Sequence, residues 1–257
     1  MNSHQHNNHK DRHTMLELHG YTDLLWQGTI LTVKLGVTSL IFGLIFGLLG
    51  ATAKLSNIWL FKNLANIYTT VVRGIPELLV VFAIYFGGDI LVSFIAKEVF
   101  GYGGRIDIGS FWPGVVALSV MFGAYATEVF RMAIQEIPKG QWEASQSLGM
   151  RPAQTFFRII LPQMWVVALP GLGNLFLVLL KDTALVSLIG LKDLIYYSSR
   201  AAQSTQEPFT FYLVAALIYL CLTAVVTACI SFGEWRANPA KRYAQKLLKQ
   251  KHTGANA

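Results

Sequence analysis

Four ionisable residues interrupt or close long apolar runs of this sequence. Arg73 and Glu77 fall inside an apolar stretch over 63–88, and Lys181 and Asp182 end a charge-free run over 159–180. A charge within a membrane-length apolar segment is costly, so those that persist pair with one another or serve a ligand. A carboxylate in a dry setting binds ammonium groups strongly and takes a planar guanidinium bidentately. Arg73 and Glu77 stand four apart, which would place them on one helical face as a pair. Pro76 between them removes a backbone donor and bends or opens a helix there. Glu77 therefore has two readings: a carboxylate lining a path for a cation, or a counter-charge to an Arg73 at the membrane mouth. Asp182 likewise reads as a cation partner or as the local partner of Lys181. Glu128 and Arg131, three apart, read as an intrahelical pair at the end of a span.

No bond-breaking set accompanies these charges. HExxH, CxxC and GxSxG are absent, and the six histidines stand at 4, 6, 9, 13, 19 and 252, outside every apolar run. Cys221 and Cys229 lie eight apart on one helical face, buried in apolar sequence, with neither a disulfide framework nor a zinc site around them. GATAKLS at 50–56 approaches a phosphate loop, but Ala53 occupies the position before Lys54 where glycine is required. The chain thus has no cofactor site of its own, and any energy source lies in another chain or an ion gradient.

The elements that must position the charges are membrane helices. Of 257 residues, 53% are hydrophobic and only 14% charged, with mean hydropathy +0.45, too little charge to cover a soluble domain of this length. Apolar runs over 35–53, 63–88, 108–127, 159–180 and 208–233 are each about long enough to cross a bilayer core as helices, the run over 63–88 being either a span with buried charge or one whose first part lies outside the bilayer core. Five spans put the termini on opposite sides. Arg236, Lys241, Arg242, Lys246, Lys249 and Lys251 place the C-terminus in the cytoplasm by the positive-inside rule, and the N-terminus outside. The same rule puts Lys54, Lys62, Arg131, Lys139, Arg151 and Arg158 inside. The predicted organisation is a polar, His-rich extension over 1–22, a transmembrane domain over 23–236 and a basic cytoplasmic tail over 237–257. That tail suits anionic head groups rather than nucleic acid.

One polar insert breaks the pattern: QWEASQSLGMRPAQTFFRIILPQ at 141–163. Good helix formers over 141–148 are followed by Gly149, a natural C-terminal cap, and by Pro152, suited to the first turn of a new helix. This is a short helix in a cytoplasmic loop. It offers Trp142, Leu148 and Met150 as apolar contacts and Glu143 and Arg151 as polar ones to a partner, or it is an ordinary amphipathic connector.

The insert resembles the EAA loop of ABC-importer membrane subunits through Glu143, Ala144, Gly149, Ile159, Leu161 and Pro162, with Ser145 where a third small residue is usually alanine. QGTILTVKLG, VRGIPELLVVFAIYFG, GAYATEVFR and ALPGLGN with LLKDTALVSLIGLKDL extend the likeness over about residues 27–236, and RGIPEL and GGRIDIG are most similar to histidine and lysine/arginine/ornithine permease subunits. The resemblance implies an all-α, polytopic permease of the type I ABC-importer kind, with five transmembrane helices and a cytoplasmic coupling helix. Gln141, Trp142, Glu143, Ala144, Ser145, Leu148, Gly149 and Met150 would then meet a separate ATPase dimer, which holds the ATP and Mg. Asp182, Thr183, Ala184 and Leu185 of the KDTAL segment would line a substrate pocket, with Glu77 and Arg73 as further candidates. The other implied partners are a periplasmic solute-binding protein and a second permease subunit, a heterodimer being favoured over a homodimer, in a bacterial inner membrane. The expected cargo is a basic amino acid, with a neutral or acidic polar one as the alternative. An ion-coupled secondary transporter is the rival class, against which stand five spans, no visible inverted repeat and few buried carboxylates.

Overall fold

Proline and glycine punctuation divides the apolar runs into helices of different lengths from those read in sequence. The computed structural model describes residues 20–100 and 109–237, where all regular structure is helical. The His-rich start, most of the GGRIDIG stretch and the basic tail lie outside the described residues. The order is α1 (Thr22–Leu55), α2 (Trp59–Gly74), α3 (Glu77–Phe100), α4 (Phe111–Glu136) and α5 (Lys139–Ser147). Next come α6 (Pro152–Thr155), a π turn (Phe156–Ile160), α7 (Leu161–Asp182) and a 3-10 turn (Thr183–Ile189), then α8 (Leu194–Thr205) and α9 (Pro208–Ala237). Five segments are long and apolar enough to span: Thr22–Leu55, Glu77–Ile95, Phe111–Glu136, Pro152–Ile189 and Pro208–Ala237.

Three sequence expectations are corrected. The stretch 63–88 is not one helix: Ile75 is extended, with φ −100° and ψ 140°, because the residue before proline is pushed out of the helical region. Arg73 therefore lies in the last turn of α2 while Glu77 begins α3, and the pair shares no helix face. The first span begins at Thr22, not 35, because Lys34 lies 5.5 Å from the Phe111 ring centroid as a cation over an aromatic face rather than ending the helix. Cys221 and Cys229 are exposed, not buried, since α9 turns most of its surface away from the bundle.

The spine of the bundle is α1 packed along α4. Cβ atoms added at Gly43 and Gly47 would come within 2.6 Å of Phe122 Cδ1 and Ala126 Cβ, so glycine at these positions sets the helix spacing. Ser119 on α4 donates through Oγ to the Ser39 carbonyl at 3.1 Å. Around this spine Leu35, Leu118, Phe130, Ile160, Met164 and Val186 are fully buried.

At the far end of the chain α8 is pinned against α1. Asp193 is buried and accepts through Oδ1 from the Tyr196 N–H at 2.9 Å, capping α8. The Leu194 N–H donates to Thr32 Oγ1 at 3.2 Å, and Gly28 lies so close that an added Cβ would meet the Asp193 carbonyl carbon at 2.8 Å. Burial pushes the Asp193 carboxyl up to about 7 against backbone N–H groups that favour its charged form.

Two measurements test this architecture. Gly47→Leu forces a side chain into Ala126 and is expected to cost on the order of 1–3 kcal/mol, lowering the unfolding temperature in detergent. Gly74→Ala, with open space around it, should leave the spine intact. Because the folded Asp193 keeps its proton above the ordinary carboxyl value of 3.8, its stabilising contribution is full below that pH and is lost as pH rises through about 7. Asp193→Asn is expected to flatten the decline in unfolding temperature between about pH 4 and about pH 7; a slope identical to the parent's would show that Asp193 does not titrate there.

Candidate functional site

Two acidic side chains from different spans meet in one apolar cavity. Glu77 is the first residue of α3, where a carboxylate is favoured by the positive end of the helix dipole. Asp182 is the last residue of α7. Their side chains line one cavity with Met121, Phe122 and Tyr125 of α4 and Leu175 and Leu179 of α7. Both are half-buried, while Lys181 turns outward. The cavity holds about 20 Å³, room for a water and far too little for an amino acid. The two half-buried carboxylates therefore face a small space at the edge of a single bundle. A much larger cavity of about 430 Å³ lies between α1, α2 and α4. Its lining includes no ionisable group except Tyr68, whose hydroxyl donates to the Val120 carbonyl at 2.7 Å, so it offers nothing to a zwitterion.

The other candidates separate from this pair. Thr183 is fully buried and donates to the Leu180 carbonyl at 2.6 Å, with its Oγ1 3.3 Å from the Tyr219 hydroxyl. It serves the packing of the 3-10 turn against α9. Ala184 and Leu185 are half-buried in the same turn and do not line the carboxylate cavity. Arg73 lies with its guanidinium 5.3 Å from the Tyr125 ring centroid and 3.9 Å from Glu128 Oε1. Glu128 also accepts from Lys54 Nζ at 2.5 Å and from Arg131 Nε at 2.9 Å. The pairing of Glu128 with Arg131 was legible from spacing. The additions of Lys54 and Arg73 were not, since those residues come from α1 and α2.

At the end of the bundle that α4 leaves, Pro138 precedes α5. A full Schellman cap closes that helix: the Met150 N–H donates to the Ser145 carbonyl at 3.1 Å and the Gly149 N–H to the Gln146 carbonyl at 2.8 Å. Gly149 takes φ +72°, which glycine adopts without strain. The helix presents two faces. Ser145 is buried, its Oγ donating to the Gln141 carbonyl at 2.6 Å, and Trp142 packs on the core. Gln141, Glu143, Ala144, Leu148 and Gly149 are exposed, Leu148 by 81%, and Met150 is half-buried. Some of the candidate coupling residues thus seat α5 on its own chain, and the others face outward.

The family described as "binding-protein-dependent transport system inner membrane component" matches residues 40–232. The chain belongs to that family. Over 206 residues it is 47% identical to the nopaline transport system permease protein NocQ of Agrobacterium fabrum, covering 80% of this chain and 87% of the relative. It is also 40% identical over 219 residues to the histidine/lysine/arginine/ornithine transport system permease protein HisQ of Escherichia coli, covering 85% of this chain and 95% of that one. A solved amino acid ABC transporter with histidines contains a chain that matches with TM-score 0.72 and 35% identity, covering 87% of this chain and 98% of that chain. This permease is a multi-pass inner-membrane transport subunit of the ABC-importer class, and ATP hydrolysis belongs to a separate chain.

Proposed function

We propose that this permease carries a cationic amino acid inward and reads its positive side chain with Glu77 and Asp182. The carrying observation is that these two carboxylates, from α3 and α7, face one apolar cavity. Two like charges in such a place are costly until a cation joins them, and a guanidinium or ammonium inserted between them replaces repulsion by charge-assisted hydrogen bonds. Ligand arrival and separation of α3 from α7 are then one event. The names of relatives, which print histidine, lysine, arginine and ornithine transport, support the same substrate class.

In this reading the N-terminus lies outside and the C-terminus in the cytoplasm, so Lys54, Arg131 and α5 share the inner side. Residues 23–236 form the translocating domain between the two terminal extensions. Glu143 and Leu148, on the outward face of α5, meet an ATPase dimer, and a periplasmic solute-binding protein delivers the amino acid. A second and different permease chain supplies the other wall of the path, because one bundle with a cavity of about 20 Å³ does not enclose a route by itself. The physical support for α5 as the coupling element is its construction: capped, seated by Trp142 and Ser145, and exposing the rest.

Uptake into proteoliposomes containing the whole complex tests the substrate reading. Asp182→Asn is expected to reduce arginine uptake by about tenfold more than glutamine uptake, the loss of one charge-assisted contact; equal loss for both would remove Asp182 as the reader of charge. For coupling, Glu143→Ala is expected to abolish uptake and substrate-stimulated ATP hydrolysis while the purified permease keeps its unfolding temperature. Full stimulation in that variant would disconnect Glu143 from the motor.

A further inference from the structure

The ion cluster on Glu128 joins three elements that the transport reading leaves unconnected. Lys54 comes from the last turn of α1, Arg73 from the last turn of α2, and Glu128 with Arg131 from α4. Three cations share one carboxylate, and they are held unequally. Lys54 and Arg131 lie at 2.5 and 2.9 Å, with side chains 10% and 32% exposed. Arg73 lies at 3.9 Å and is 43% exposed.

The unequal holding follows from the packing. The glycine contacts that lock α1 to α4 make Lys54, Glu128 and Arg131 parts of one rigid body. Arg73 reaches that body from α2. Only Gly74, Ile75 and Pro76 separate Arg73 from Glu77, and Pro76 fixes the turn between them, so a shift of one is passed to the other. The Arg73 guanidinium also covers Tyr125, a wall of the carboxylate cavity. On its other side α4 continues past Arg131 to Glu136, and α5 begins at Lys139.

We infer that Glu128 is a positioning residue: through Arg73 it holds the α2–α3 break, and with it Glu77, in register with the end of α4 that leads to α5. When α5 draws the end of α4 away, Arg73 is the contact that parts first, being the longest and most exposed of the three. Glu77 then leaves Asp182, and the cavity opens. Glu128 touches no substrate in this scheme. The inference rests on the importer reading for its purpose, but its geometry is testable without any substrate.

The test uses the full complex, with Cys221 and Cys229 changed to serine and a single cysteine placed by Glu77→Cys. The labelling rate of that cysteine by a cationic thiol reagent is compared with Glu128 present and with Glu128→Gln. The structure predicts that Glu128→Gln changes the rate by about tenfold, the scale of one lost hydrogen bond to a charged group, and that Glu128→Asp restores part of the difference. Arg73→Lys should reproduce the effect, since an ammonium cannot both stack on Tyr125 and reach Glu128 as a planar guanidinium does. In complexes that retain Glu77, Glu128→Gln should raise the KM for arginine and lower the ratio of substrate-stimulated to basal ATP hydrolysis. An unchanged labelling rate for Glu128→Gln per assembled complex overturns the inference, even if less complex assembles, because a merely structural salt bridge would alter yield and not the exposure of position 77. A changed labelling rate in a complex that moves no basic amino acid would uphold the positioning role and reject the substrate class instead.

Discussion

Proline at position 76 has no N–H to give to a helix, and its ring pushes the preceding residue into an extended conformation. The arrangement of the site descends from that constraint. Without the break, α2 and α3 would form one rod, Arg73 would sit over Glu77, and the two would neutralise each other. With it, the arginine is released toward α4 and the glutamate toward α7. One backbone restriction thus separates an ion pair into two halves, each of which finds a different partner in a different part of the bundle.

That separation is affordable only because the bundle satisfies each half. Glu77 gains the favourable end of α3 and the company of Asp182, a combination that is uncomfortable for two acids and welcoming to a cation. Arg73 gains an aromatic face and a share of Glu128. The close approach of α1 and α4 makes the second arrangement possible, because glycine at 43 and 47 brings Lys54 near enough to help hold the Glu128 carboxylate. The polar groups of this permease are organised by its smallest side chains.

Much of this was legible in the sequence, and the remainder was hidden for specific reasons. Apolar run length accounts for five spans, and the Gly149–Pro152 punctuation marks the short helix that ends there. The run over 63–88 gives no clear boundary because hydropathy averages across Pro76, and a proline in an apolar run is compatible with either a bend or an opening of the helix. The start of α1 was missed because a charge, Lys34, was treated as a boundary. The meeting of Glu77 with Asp182 and the additions to Glu128 had no local signal at all: they join residues 55 to 105 positions apart, and spacing rules reach only one or two turns. Trp142 and Ser145 were grouped with outward-facing residues because a nine-residue helix in a loop gives no indication of which side rests on its own chain.

The cap on α5 has a mechanical meaning. A helix of nine residues is too short to hold itself together in water, where isolated helices below about 12–15 residues are marginal, and a fraying end yields under load like a soft spring. Here the last turn is tied by two backbone hydrogen bonds through a glycine in the left-handed region, and the flank is bedded on Trp142 and Ser145. Such a strut has little compliance. A load applied at its exposed face would reach the base of α4 with little lost to bending of the helix itself.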